Sequence, residues 1–324
     1  MINACCANDK SVSVHAMGAE DPIPEGAIWL DLVTPDANER AAAEAWLGLA
    51  IPTREEMAAI ETSERLYEDA GALVMTTLLP MNVRAPDLKT SALTIVARRD
   101  RIATLRHADS QSIAVAVHRL QGTVEGGRDP GNALLILLDA IADRAADVIE
   151  EASAEFDSIA SHVFGEGVDS RKSAEYKGMI QRIGKIGLKV ARMHDVCGSL
   201  ERLFLFLSAH AKTVALTSQQ KTLCKTLGRD IRSIREHADA LDAKLNFLLD
   251  ATVGLVNLEQ NQIIKIFSVL AVVFLPPTLI ASIYGMNFEI MPELQWAWGY
   301  PFSIVVMIVS VALNFLYFRW KKLL

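Results

Sequence analysis

Nine residues, Asp250, Asn257, Asn261, Ile264, Ser268, Ala271, Leu275, Thr278 and Ser282, recur at steps of three, four or seven, which places them on one stripe of a helix. Six of the nine carry a side-chain oxygen, and the tripeptide Gly285, Met286 and Asn287 stands just beyond the last of them. Oxygen-bearing side chains inside an otherwise apolar helix face protein or water rather than acyl chains, and such a line can solvate a cation. Small members such as Ala271 and Ser282 would also suit a helix-packing face. One stripe cannot enclose a channel, so a pore would need several copies around an axis. Enzymatic chemistry has no comparable constellation. The chain has no Gly-rich phosphate loop, nucleophile elbow or zinc-ligand spacing, and its seven histidines are scattered singly.

Two long apolar runs, 263–283 and 300–318, must position these groups, and each is long enough to cross a hydrocarbon core of roughly 30 Å as a helix. Taken singly, either could be the core helix of a soluble protein. Paired, and with Trp296 and Trp298 at the expected interface, they read as a membrane hairpin. Arg319, Lys321 and Lys322 follow the second run, Lys265 stands at the start of the first, and the connecting loop has Glu289 and Glu293 but no basic residue. Basic flanks stay in the cytoplasm, so the expected topology has both termini cytoplasmic and the tripeptide outside a cell (inner) membrane.

Of the chain's residues 51% are hydrophobic and 22% charged, with the charges concentrated ahead of residue 263. The segment from Ile263 onward holds four basic and two acidic residues, leaving 28 basic against 37 acidic before it. An acidic domain attracts cations and is a poor partner for nucleic acid. The start has no basic flank before an apolar stretch and no Arg-rich transit segment. Cys5, Cys6, Cys197 and Cys224 lack metal-ligand spacing and are expected to be reduced and packed.

Ahead of the membrane, a strand over 27–32 leads through Thr34-Pro-Asp into an Ala- and Glu-rich helix ending near Gly48. Thr53 and Glu56 have the spacing of a capping box. Runs at 72–79, 91–97 and 102–105 read as further strands, with Pro80, Asn82, Pro86 and Asp87 separating the first two. From about Gly131 long helical periodicity takes over, predicting helices over 132–163, from Ser170 to about Ala211, and from Thr217 or Ser218 without a stop before the membrane. At about 1.5 Å per residue, the last would make a rod near 100 Å long. Pro276 and Pro277 predict a kink or hinge in it. The expected organisation is a sheet domain over 1–130, a helical region with a stalk over 131–262, a first span over 263–283, an outer loop over 284–299, a second span over 300–318 and a basic tail over 319–324.

Tyr284-Gly-Met-Asn-Phe-Glu, then Met291-Pro-Glu-Leu and Trp298-Gly-Tyr-Pro, closely resemble the CorA family of magnesium channels, strongly over the last 70 or so residues and in outline before them. The resemblance implies an α+β cytoplasmic domain on a long helical stalk with two C-terminal transmembrane helices, mainly α overall, assembled as a funnel-shaped homopentamer in the lipid bilayer. It implies Mg²⁺ as both transported and regulatory ion, with no organic cofactor. The first spans would line the pore, and Gly285, Met286 and Asn287 would form its outer mouth. Mg²⁺ holds its octahedral water shell tightly, so five Asn287 carbonyls could accept hydrogen bonds from the hydrated ion without stripping it, where carboxylates would hold it longer. Gly285 would allow a backbone conformation or close approach closed to other residues, with Met286 packed behind the ring. Glu289 and Glu293 would raise the local cation concentration, or simply keep the loop soluble.

Further in, Ile264, Ala271 and Leu275 would form an apolar neck that gates by dewetting, with Phe267 an alternative to Ser268 on the inward face. For the regulatory site, Thr226 and Cys224 fall where a stalk carboxylate is sought. Asp230 is the nearest acid, and Asp87 or Asp100 is the candidate partner from the sheet domain. Arg319, Lys321 and Lys322 would anchor the tail or form a basic collar. A zinc transporter of the same superfamily, in which Ile typically replaces the middle residue of the tripeptide, is the neighbouring reading. A non-conducting membrane-anchored helical sensor is the other, although it has no use for Asn261, Thr278 and Asn287 on one line.

Overall fold

The computed structural model describes residues 1–7, 12–18, 21–59, 61–81, 88–122, 129–165, 173–287, 291–292 and 296–321. In chain order the elements are β1 (Ile2–Ala7), β2 (Val12–Met17), β3 (Ala27–Val33), α1 (Ala37–Leu47), α2 (Arg54–Met57), α3 (Thr62–Arg65), β4 (Leu66–Asp69), β5 (Ala72–Met81), β6 (Lys89–Ala97) and β7 (Ile102–Arg106). Five helices follow: α4 (Gln111–Gln121), α5 (Pro130–Phe164), α6 (Ser173–Ala209), α7 (Ser218–Tyr284) and α8 (Gly299–Trp320). By packing, the chain forms two compact units, Met1–Leu249 and Asp250–Leu324.

In the first unit the strands make one sheet in the order β2-β1-β3-β7-β6-β5-β4. Every pairing is antiparallel except β3 with β7, where Asp31 lies opposite Thr104 and Val33 opposite Arg106. That parallel pair carries a buried polar network. Trp29 Nε1 donates to Thr104 Oγ1 at 2.9 Å, Thr104 Oγ1 donates to Asp31 Oδ1 at 2.8 Å, and Arg106 Nη2 donates to Asp31 Oδ2 at 2.8 Å. Charges taken from water need all their hydrogen bonds made, and here the carboxylate meets a hydroxyl and a guanidinium fork.

The local stops and starts follow side-chain chemistry. Asp36 and Glu39 cap α1 reciprocally, and Gly48 ends it at φ +72°, where a Cβ would be strained. Thr53 and Glu56 form the expected box at α2. Thr217 and Gln220 do the same at α7, where the Gln220 amide also donates to Asp129, the N-cap of α5. The structure extends the expected sheet by three strands, β1, β2 and β4, and adds the helices α3 and α4. It also keeps Pro80, expected to separate two strands, inside β5 opposite Thr90. β4 pairs only with residues 72–75. Beyond it, the outer side of β5 is covered by α6, whose Ser199 hydroxyl bonds to Leu78 N and Thr77 Oγ1. A proline fits there because the ladder asks no donor of it.

Buried residues Cys224, Leu227, Ile231, Ala238, Leu241, Leu245 and Leu248 recur at helical spacing on the N-terminal part of α7. Beyond Asp250 that pattern ends. On α7, Ile264, Phe267, Phe274, Leu275 and Leu279 are 61–68% exposed, and on α8 Leu316, Leu313 and Ile308 are 61–63% exposed. Both helices are long and apolar enough to cross a membrane. Large apolar side chains left outside on this scale belong in lipid or against other subunits, so the single-run alternative of a soluble core helix does not describe them.

Candidate functional site

All nine stripe residues lie on α7 in the second unit, and all nine are exposed. The partly buried residues of the same span are Val269, Val272, Val273, Pro276, Pro277, Ile280 and Tyr284. At about 100° per residue they share the opposite side of the helix from Ile264, Ala271, Leu275, Thr278 and Ser282. The partly buried positions thus cluster opposite the oxygen-bearing stripe, every member of which is exposed. Phe267 and Ser268, the two alternatives for one inward position, are both exposed, Ser268 at one margin of the stripe and Phe267 beyond the other.

Pro276 and Pro277 do not end α7, which runs on to Tyr284. Each removes one backbone N–H, so the carbonyls of Val272 and Val273 have no donor four residues on. Next to them Thr278 Oγ1 donates to Phe274 O at 2.7 Å. With its proton committed to the helix, that hydroxyl presents only lone pairs outward, which is what the water shell of a cation needs. Polar groups on α8 are instead absorbed locally. Ser303 donates to Tyr300 O, Ser310 to Met307 O and Asn314 to Ser310 O, the internal satisfaction a helix in lipid requires.

At the end of α7, Gly285 N bonds to Ala281 O at 2.9 Å and Met286 N to Ile283 O at 3.2 Å. Gly285 is not at positive φ, so a left-handed backbone is not what this position asks of a glycine. A Cβ there would meet Ala281 O at 3.1 Å. Met286 is 47% exposed, so among the described residues nothing packs it away. Asn287 is exposed three residues past the helix end, outside the position of a helix C-cap. Glu289 and Glu293 lie outside the described residues, as do Asp87 and Lys322. Trp296 and Trp298 are 54% and 67% exposed near the start of α8, and Trp296 meets Phe302 with ring centroids 5.8 Å apart.

The candidates for a regulatory metal site are not brought together within this chain. Among the described residues no group of three or more His, Cys, Asp or Glu is arranged to hold a metal ion. Asp100 is held by Arg101 at 2.6 Å, and the hydrogen bond and charge of that guanidinium keep its carboxyl below the usual range. Cys224 is buried, with its thiol pushed up by burial. Thr226 Oγ1 accepts from Arg229 at 3.3 Å. Asp230 is exposed on α7 and close enough to raise the pKa of Asp139, which burial raises first and Asp143 second. Arg119 bridges Asp139 at 2.9 Å and Asp143 at 2.7 Å. Sequence reasoning missed the pairing of Asp230 with Asp139 because the two come from α7 and α5, about ninety positions apart. The only hint was that Asp139 and Asp143 are four apart on one predicted helix.

Comparison with known proteins bears on the same residues. The family described as CorA-like Mg²⁺ transporter protein matches residues 24–322. The magnesium transport proteins CorA of Salmonella typhimurium (strain LT2) and Escherichia coli (strain K12) are each 37% identical over 300 residues, covering 91% of this chain and 92% of theirs. Among solved structures, the complete CorA magnesium transporter from Methanocaldococcus jannaschii aligns with a TM-score of 0.76 at 18% identity, covering 98% of this chain and 97% of that one. The full-length CmaX protein aligns with a TM-score of 0.66 at 15% identity, covering 99% and 97%. The structural likenesses speak for the fold, and the family and curated relatives for the kind of protein.

Proposed function

The chain belongs to the CorA-like Mg²⁺ transporter family, and from that premise we propose that it carries Mg²⁺ passively through a pore built from the exposed stripe of α7. The observation that carries this reading is the division of the α7 span. Its oxygen-bearing side is left open, while its partly buried side lies opposite. Five copies around an axis, as a homopentamer in the inner membrane, would turn the open sides inward, and both termini would face the cytoplasm. Span 263–283 would then line the pore, loop 284–299 would carry the outer mouth, span 300–318 would face lipid, and the tail from 319 would anchor the inner end.

Within that assembly Asn287 would accept hydrogen bonds from the ion's water shell, with Gly285 letting the chain turn tightly against Ala281 and Met286 behind the ring. Thr278, Ser282, Ser268 and Asn261 would pass the hydrated ion inward, and Asn257 and Asp250 would receive it. Ile264, Ala271 and Leu275 would form the apolar neck. Glu289 and Glu293 would concentrate cations outside. The same chemistry admits Co²⁺ and Ni²⁺, since a filter for the hydrated ion reads chiefly size and charge. Membrane potential supplies the drive: at about 2.3 kcal/mol per charge per 100 mV, a divalent ion gains roughly 4.6 kcal/mol, enough for uptake without ATP. Cytoplasmic Mg²⁺ would close the pore by binding between subunits. Asp230, which acts electrostatically on Asp139, is the stalk-side candidate, and Asp87 is preferred to the Arg101-bound Asp100 as its partner.

The decisive experiment measures Mg²⁺ influx into proteoliposomes held inside-negative, comparing the native protein with Asn287→Ala after both are shown to assemble equally. Influx that collapses in the variant supports a pore with its filter at the tripeptide. Absence of native influx at low internal Mg²⁺, with the oligomer intact, refutes the proposal and returns the choice to zinc transport or a non-conducting sensor.

A further inference from the structure

Residues 202–229 hold no Asp or Glu, the longest such stretch ahead of residue 263, yet they carry Arg202, Lys212, Lys221, Lys225 and Arg229. In a domain with more acidic than basic side chains this is a local reversal of charge. The segment makes the end of α6, the turn after it and the start of α7. Thr213 N bonds to His210 O, Ala215 N to Lys212 O and Leu216 N to Ala211 O. Ala215 sits at φ 55°, a left-handed conformation that an alanine seldom adopts.

Beside this turn lies a cavity of about 340 Å³, lined on its polar side by Ser208, Lys212, Lys221 and Lys225, with Cys224 and Leu216 behind them. Among the described residues no carboxylate lines it, and none of the three lysines makes an ion pair. Lys212 and Lys225 are exposed and Lys221 is half-buried, so all three cations are open to a ligand arriving from water.

Nothing nearby offsets their charge. Glu68 accepts from Thr213 at 3.3 Å, Asp129 accepts from Gln220 and from Gly131 N, and neither lines the cavity. Burial pushes the Cys224 thiol up, so it stays neutral. The start of α7 cannot compensate, because a helix N-terminus is itself positive and no acidic residue stands in its first turn. Lys221 and Lys225 are four apart on that helix, where like charges repel. Lysines spread over an open face are simply solvated, but these three share one concavity, and a multivalent anion there would relieve their repulsion.

We propose that this cavity binds a di- or triphosphate group, its charge shared by Lys212, Lys221 and Lys225 and one oxygen accepting from the Ser208 hydroxyl. A lysine ammonium is a compact point charge with rotatable donors, so such a site reads total charge more than planar geometry. A monophosphate or a dicarboxylate brings at most two charges to three ammonium groups. The volume is at the lower end for small-molecule sites, which suits a phosphate chain with any organic part left in solvent. An inorganic chain and a nucleotide offer the same chemistry. The site does not depend on the cation pathway, which has no use for an anion.

The test uses the full-length protein in detergent, freed of divalent cations and titrated by calorimetry with inorganic tripolyphosphate, adenosine triphosphate, inorganic phosphate and succinate in turn. Saturable binding of tripolyphosphate, at least about ten-fold weaker binding of phosphate and none of succinate is the expected result, with affinity falling as salt rises. Lys221→Gln and Lys225→Gln should each weaken tripolyphosphate binding roughly three-fold or more, and the double variant roughly ten-fold or more. Lys244→Gln, at an exposed position of α7 outside the cavity, should leave it unchanged. Adenosine triphosphate binding as tightly as tripolyphosphate supports the proposal with a nucleotide as ligand, and much weaker nucleotide binding supports it with an inorganic chain. No saturable binding of either triphosphate up to about 10 mM overturns the proposal. So does triphosphate binding that both single variants and the double variant leave unchanged, and phosphate or succinate binding as tightly as tripolyphosphate overturns the assignment of the ligand.

Discussion

At the scale of single residues, the protein separates groups that must meet water from groups that must not. Thr278 spends its proton on Phe274 O and faces outward as an acceptor, and Asn287 stands clear of the helix end. In the first unit, burial pushes the Cys5 and Cys197 thiols up to about 12, so both stay protonated and inert. His107 is one residue through which pH reaches the fold. Its Nε2 is buried without a hydrogen-bond partner among the described residues, and burial, then Arg54 and Arg40, lower its pKa from 6.5. The folded state therefore binds fewer protons here than the unfolded chain between the lowered value and 6.5. The contribution of His107 is fully present above pH 6.5 and is lost as pH falls toward its folded pKa. Thermal melts of the detergent-solubilised protein should show Tm falling below that pH, and His107→Gln should flatten part of the fall. An unchanged slope in the variant would assign the acid sensitivity to other groups.

At the scale of elements, α7 and α8 are both apolar helices of spanning length, yet only α7 carries an exposed polar line. Cysteine substitutions at Ala271, Leu275, Thr278 and Ser282 should react with a small water-soluble thiol reagent in proteoliposomes at least about ten-fold faster than substitutions at Val272, Val273 and Ile280. On α8, Ile308 and Leu313 should stay unreactive. The four native cysteines are buried and give little background. Uniform reactivity around α7 would deny it a single inward face. This stripe was legible in the sequence because a helix maps spacing directly onto a face, and the long helices were legible for the same reason, their ends shifting by only two or three residues. The capping box at Thr53 was equally readable, since it is closed within four residues, and the same spacing at Thr217 and Gln220 reads in the sequence only as a helix start. β1 and β2 were not. β1 is buried at four of its six positions, so it shows no polar–apolar alternation, and β4 is too short to show a period. Pro80 misled because a proline is excluded only where the sheet needs its N–H. The network of Asp31, Thr104 and Arg106 joins residues more than seventy positions apart, which no local pattern encodes. Along the α7 stripe the sequence named every side-chain oxygen but not the commitment of the Thr278 proton, a matter of rotamer.

At the scale of the whole molecule, one chain presents a line of oxygens and no enclosure, so transport must belong to the assembly. A single shared axis and a separate path through each subunit make different arithmetic. If every copy of Asn287 contributes to one ring and a single Ala disables it, the active fraction in mixed assemblies falls as the native fraction raised to the number of subunits. With native and Asn287→Ala chains co-expressed in equal amounts, a five-membered ring should retain about 3% of native flux, while independent paths would retain about 50%. A ring that tolerates some substitutions lies between these values but still curves below the straight line. The measurement is initial Mg²⁺ influx at a fixed inside-negative potential across a series of mixing ratios, with subunit content read by a size tag on one chain. Linear loss of flux with variant content would place a complete pathway in each subunit. It would also leave the exposed side of α7 without the partners its chemistry requires.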